Sequence, residues 1–197
     1  MMRAPLVEYR SREMANDQLP GFVYDDLPEE IERLLELYPG LARRELQAEV
    51  NFLGDGMFGA KARFYAGLAA NAGQPTYFYL FNRVPPNPKQ TIGAFHGADL
   101  PFVFGSSTPI LPLSGGDKAL SKTMVGYWTQ FAKTGDPNCV DQPEWHSFVD
   151  DDPQWMVFAS EGSQAEAVTR EEQYQLFNQR TLRQIAAMGC KVAESAH

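Results

Sequence analysis

The stretch Thr76-Tyr77-Phe78-Tyr79-Leu80-Phe81 limits this chain more than any other. Successive side chains of a strand point to opposite faces, and here both alternations are aromatic or aliphatic. Both faces must therefore be covered, the habit of a parallel strand inside an α/β sheet. Gln154 to Ala159 reads as a second buried strand. Helices are expected around them. Leu27, Ile31, Leu34, Leu35 and Tyr38 follow helical spacing, with Asp26 as N-cap, Pro28 in the first turn and Pro39-Gly40 as the stop. A weaker helical stretch covers Leu41 to Val50. Asp55 is read as the N-cap of a third helix, with Met57, Phe58, Phe64, Tyr65 and Leu68 on its apolar side and Gly73 near its end.

Leu120, Met124, Trp128, Phe131 and Ala132 mark a long helix closed by Gly135. A final helix spans Glu171 to Met188, with Leu176, Phe177, Ile185 and Ala186 inward and Gly189 as its stop. The order is helices, strand, irregular Pro-rich loop, helix, strand, helix. Two strands buried on both faces need lateral neighbours for their edges, so the expectation is an α/β domain with an incomplete sheet.

Composition removes several function classes. The 197 residues carry 17 basic and 25 acidic side chains, a net charge of −8, which argues against binding a phosphate backbone. No apolar run approaches the length of a membrane span. The opening MMRAPLVEYRSREMA lacks the apolar core of a signal peptide, and localisation is left open. Cys139 and Cys190 are too few for a disulfide scaffold and too far apart for a metal knuckle, so unpaired thiols are expected. Asp150-Asp151-Asp152 lacks the glycine and distal glutamate of a calcium loop and reads as a solvated turn.

Of three histidines, His197 is terminal and His146 lies in the polar Glu144-Trp145-His146-Ser147 loop. His96 follows the first strand, between Gly93 and Gly97, where α/β sheets collect ligands and catalytic groups. A neutral imidazole there could take a proton from a nucleophile and return it to a leaving group. On spacing alone, a partly buried histidine bonded to backbone is the favoured reading.

The segment Gly93-Ala94-Phe95-His96-Gly97-Ala98-Asp99-Leu100-Pro101-Phe102-Val103-Phe104-Gly105 resembles the histidine-bearing segment of the type B carboxylesterases, the cholinesterase-like α/β-hydrolases. Gly54-Asp55 with Phe58 and Ala62-Arg63 is similar to a helix start of that family. Tyr77 to Phe81 followed by Val84-Pro85-Pro86 looks like its strand and proline loop. Tyr127-Trp128-Thr129-Gln130-Phe131-Ala132-Lys133-Thr134-Gly135-Asp136-Pro137-Asn138, then Trp145, resembles a further stretch in the same order. The resemblance is strongest over residues 51–158. It implies that residues 1–197 are a C-terminal part of an α/β-hydrolase fold, with helices on a few mostly parallel strands. It also implies acyl transfer on carboxylic esters, with His96 as the triad histidine and no cofactor or metal.

In that fold the triad runs serine, acid, histidine, so serine and acid should precede His96. No serine here stands in Gly-x-Ser-x-Gly; Gly105-Ser106-Ser107-Thr108-Pro109 ends in proline and follows the histidine. Glu13 does not match the acid segment, which the family's spacing puts upstream of Met1, and the glycine-rich oxyanion segment is absent. Asp99 is read as supporting the site or capping its own turn, and Phe102 and Phe104 as packing residues rather than a pocket wall. The expectation is a serine carboxylesterase part that is inactive alone and associates with the missing N-terminal part or with itself. The alternatives are a non-catalytic, adhesion-type partner-binding relative and a truncated product.

Overall fold

The computed structural model describes residues 28–84, 93–107, 113 and 115–189. The chain divides into two compact units, residues 1–64 with 170–197, and residues 65–169.

The first unit is helical. Helix α1, Pro28–Leu37, buries Ile31, Leu34 and Leu35, the i, i+3, i+4 stripe expected. Its proposed cap, Asp26, lies outside the described residues. Gly40, at φ +99°, turns the chain after it. The helix anticipated over Leu41 to Val50 is not continuous. A 3-10 turn, Leu41–Arg43, ends at Arg44 in the left-handed region, and α2, Leu46–Gly54, starts afresh. Two amides, those of Arg43 and Glu45, converge on the Gly40 carbonyl and close this corner.

Asp55 does not cap a helix. It lies inside an unbroken helical run, in a π turn, Asp55–Gly59, joining α2 to α3, Ala60–Asn71. Its buried carboxylate accepts a 2.6 Å hydrogen bond from the Tyr38 hydroxyl and two of 2.8 Å from Arg170 Nε; Arg170 Nη2 is ion-paired to it as well. The Arg170 guanidinium also stands 5.8 Å from the Tyr38 ring centroid. Burial pulls the Arg170 pKa down, yet the Asp55 carboxylate more than offsets this and the net shift is upward. About two turns on, the buried Arg63 donates to both oxygens of Glu171 at 2.8 to 3.2 Å. Helix α6, Glu171–Ala187, is thereby tied to the run by two arginine–carboxylate forks.

Tyr38, Phe52 and Phe177 fill the space between, with centroids 5.5 Å apart for Tyr38–Phe52 and Phe52–Phe177. Gly59 and Gly56 permit that approach. A Cβ on Gly59 would stand 2.6 Å from Tyr174 Cε1, and one on Gly56 2.8 Å from Phe177 Cε1.

This arginine anchoring corrects the expected inner face of the third helix. Met57, Phe58, Tyr65 and Leu68 are exposed, while Ala60, Arg63 and Ala66 are buried. In α6, Phe177 is buried as expected and Leu176 and Ile185 are half-buried. Ala186 is exposed, and Tyr174 and Asn178 complete the inner face.

The second unit holds the sheet. After α3, Gly73 at φ +73° ends the helix, its amide bonded to the Ala70 carbonyl and that of Gln74 to Ala69. Strand β1, Tyr79–Phe81, is shorter than its aromatic run. It pairs in parallel with β2, Gln154–Ala159, in the register Tyr79↔Met156, Leu80↔Val157, Phe81↔Phe158. The parallel expectation holds. A third strand, β3, Gly162–Ala167, pairs antiparallel with β2 and makes the sheet mixed, in the order β1-β2-β3. Its polar sequence hid it: the hairpin geometry, not hydrophobic patterning, recruits it to β2. No described strand lies on the other side of β1.

Helix α5, Gly115–Thr134, buries Leu120, Met124 and Tyr127 against Met156 and Phe158, with Trp145 and Phe102 completing the core. Trp145 donates its indole N–H to the Phe78 carbonyl at 3.0 Å. Its backbone N–H donates to Asn138 Oδ1 at 2.7 Å, and Asn138 Nδ2 returns a 3.0 Å bond to its carbonyl. The Gly-Asp-Pro-Asn turn is thus a clamp on this tryptophan. Cys139 is a free, half-buried thiol; Cys190 lies outside the described residues.

Asp55→Ala removes the acceptor for both Tyr38 and Arg170, and breaking a buried pair costs about 3–5 kcal/mol. Urea unfolding is expected to register a loss of at least about 3 kcal/mol. A variant as stable as the parent would show that this carboxylate does not hold the first unit together.

Candidate functional site

The chain leaves β1 at the carboxyl end of a parallel strand, where α/β folds collect chemistry. Arg83 follows at once. Its Nε donates at 2.7 Å to Asp117, a buried carboxylate in the first turn of α5, and its Nη1 contacts the Val84 carbonyl. The proline-rich connection at 85–92 lies outside the described residues.

The described segment re-enters at Gly93, at φ +79°. His96 then occupies a tight turn in which the Ala98 amide donates to the Phe95 carbonyl at 3.0 Å. Gly97, again at φ +79°, supplies the left-handed residue that such a turn requires. A second bond, Leu100 N–H to the Gly97 carbonyl at 3.2 Å, delivers the chain into α4, Leu100–Val103. The His96 side chain is exposed, whereas Ala98 beside it is buried.

Asp99 precedes α4, but its carboxylate makes no bond to the helix amides, which removes the capping reading. It accepts instead from the Tyr79 hydroxyl at 2.9 Å. Strand β1 is therefore linked by a side-chain hydrogen bond to the residue three past the histidine. Burial first, then the Asp99 carboxylate, push the Tyr79 pKa well above the ordinary phenol value. Phe102 anchors the next turn: it is buried, its ring lies 5.0 Å from that of Phe81, and its carbonyl accepts from Ser121 Oγ at 2.9 Å. Phe104 was expected to pack inside; at 74% exposure it does not, and Leu100, one helical turn before it, is 53% exposed.

The other sequence candidates stand apart from this turn. His146 is exposed, with Nδ1 3.4 Å from Glu144 Oε1. Ser106 and Ser107 are exposed; Ser107 Oγ accepts from the Leu113 amide, a local turn bond rather than an elbow. Asp151 and Asp152 are exposed, and Asp150 accepts from Asn71. Glu13 and His197 lie outside the described residues. Among the described residues, no three His, Cys, Asp or Glu side chains gather as metal ligands, and no helix is long and apolar enough to cross a membrane. Sequence reasoning missed Tyr79 and Arg83 as polar partners. Tyr79 reads as an apolar strand residue, although a tyrosine in a buried strand signals a hydroxyl that must find an acceptor.

The family model described as the carboxylesterase family matches residues 23–177. Carboxylesterase 4A of Bos taurus is 40% identical over 85 residues, covering 42% of this chain and 16% of its own length. Bile salt-activated lipase of Rattus norvegicus is 44% identical over 82 residues, 38% of this chain and 13% of the lipase. Human carboxylesterase 3 is 32% identical over 136 residues, 61% of this chain and 24% of that protein. The chain thus spans under a quarter of the length of these relatives. Among solved structures, a thermophilic PNB esterase superposes with a TM-score of 0.65 at 26% identity over 85% of this chain and 33% of its own. A second PNB esterase gives 0.62 at 28%, over 76% and 30%.

An alkaline titration checks the buried phenols. Burial foremost, with the nearby carboxylate second, raises the pKa of Tyr38, Tyr79 and Tyr174. A folded pKa above the unfolded one gives stability that is full below about pH 10 and is lost as pH rises past it. Phenolate absorbance at 295 nm is expected to include a phase from these three that appears only with loss of near-UV circular dichroism. All eight tyrosines titrating together in a folded protein would contradict these environments.

Proposed function

The chain belongs to the carboxylesterase family, and from that membership we propose that His96 is the general base and acid of a serine carboxylesterase. The fold is that of part of an α/β-hydrolase, read as its C-terminal portion from the motif order. One observation carries the proposal: His96 is solvent-exposed on a glycine-bearing turn between β1 and α4, and Asp99, three residues on, accepts a hydrogen bond from Tyr79 of β1.

In this reading the imidazole removes the proton of a serine as that serine attacks the ester carbonyl. It then gives the proton to the departing alcohol, and repeats the cycle with water. The serine, the orienting acid and the oxyanion donors come from outside these 197 residues. The absence of Gly-x-Ser-x-Gly from the sequence supports that division, as does the small share of each relative that the chain spans. The substrate class is a small carboxylic ester, and the mechanism calls for no cofactor or metal. Asp99 supports the turn rather than acting as the triad acid. The partner is the remainder of the hydrolase domain, and β1, with one edge unpaired among the described strands, is where its sheet would continue.

Two assays with p-nitrophenyl acetate test this. The 197-residue chain and its His96→Ala variant are expected to hydrolyse the ester at the same background rate. In the full-length polypeptide carrying the serine, the same substitution is expected to lower turnover by about 10⁴-fold. A His96-dependent rate in the short chain would place the nucleophile within it. Unchanged turnover in the long one would remove His96 from the reaction.

A further inference from the structure

We propose that Tyr79 is a positioning residue for the His96 turn, acting through the Asp99 carboxylate. The inference rests on the reading of His96 as general base and extends it to the strand beneath.

The turn is built on glycines and short-range backbone bonds. Gly93 and Gly97 both stand at φ +79°, a region where glycine is free to move on either side of zero. Two of its backbone bonds, Ala98 to Phe95 and Leu100 to Gly97, span three residues each and fix local shape rather than placement. Placement requires a link to something rigid. The Tyr79 hydroxyl provides one, because Tyr79 is paired to Met156 in the parallel ladder and its ring is held edge-on by Trp128 at 5.1 Å, with Trp145 and Phe158 at 6.1 Å. The ring alone would serve that packing, and phenylalanine would fill it equally well. The hydroxyl adds a directional 2.9 Å bond, half-buried, to the carboxylate three residues beyond His96. Three residues of chain span at most about 10 Å, so fixing Asp99 confines His96. A general base displaced by about 1 Å from its nucleophile costs roughly 10²-fold in rate.

Tyr79→Phe keeps the ring and removes the bond. In the full-length esterase it is expected to lower kcat about tenfold to a hundredfold with KM changed less than about twofold. Asp99→Asn, whose amide oxygen still accepts from Tyr79, should retain more turnover than Asp99→Leu. The double variant Tyr79→Phe/Asp99→Leu should be no slower than the worse single one, because both remove one link. Normal kcat in Tyr79→Phe, or losses that multiply in the double variant, would overturn the proposal. Amide exchange in the 197-residue chain separates this from the assignment of His96. Faster exchange at Ala98 and Leu100 in Tyr79→Phe, at unchanged exchange in β2, is expected whether or not His96 proves to be the base. Unchanged exchange there, beside a His96→Ala variant that is inactive at full length, would sink the positioning role and leave the base in place.

Discussion

The parallel pairing of β1 on β2 governs the second unit. With Tyr79 opposite Met156 and Phe81 opposite Phe158, the chain must leave the sheet at one end, and the histidine segment begins its course there. The same register turns Tyr77, Tyr79 and Phe81 toward α5 and the Trp145 core. One face of a three-residue strand therefore carries core packing and the polar link to Asp99 together. Loss of the pairing would release both.

Two aspartates show how far local reading reaches. Asp55 and Asp99 each precede or open a helical pattern, and a short carboxylate in that place suggests a cap. Neither caps. Asp55 binds Arg170, 115 residues away, and Tyr38; Asp99 binds Tyr79, 20 residues back. A carboxylate removed from water takes the strongest donor in range, and guanidinium or phenol hydroxyl outcompetes a backbone amide already committed to its helix. Partners so distant in sequence leave no periodic trace.

Where burial is driven by apolar side chains, the sequence is legible. Helix α5 with its Gly135 stop, the apolar run Trp155 to Ala159 of β2 and the start of α6 with Phe177 inward follow from spacing, and Trp145 with Asn138 from motif order. Where polar groups drive it, legibility fails. The buried stripe of α3 centres on Arg63, so its aromatic side faces outward, and β3 is recruited by hairpin closure although its residues are polar. The location of His96 was readable from the glycines that flank it. The hydroxyl beneath its turn was not, because a tyrosine inside an aromatic strand reads as packing.

Carboxylesterase membership thus meets a chain with an exposed histidine beside two glycines in the left-handed region, and a strand tyrosine bonded to the carboxylate three residues past it. The central claim is that this imidazole activates a serine. Stopped-flow mixing of the full-length protein with p-nitrophenyl acetate follows that step alone, as the nitrophenol released when the acyl group transfers to the enzyme. The account predicts a burst stoichiometric with active sites in the parent and none on the same timescale in His96→Gln. A burst of parental rate in that variant would contradict it.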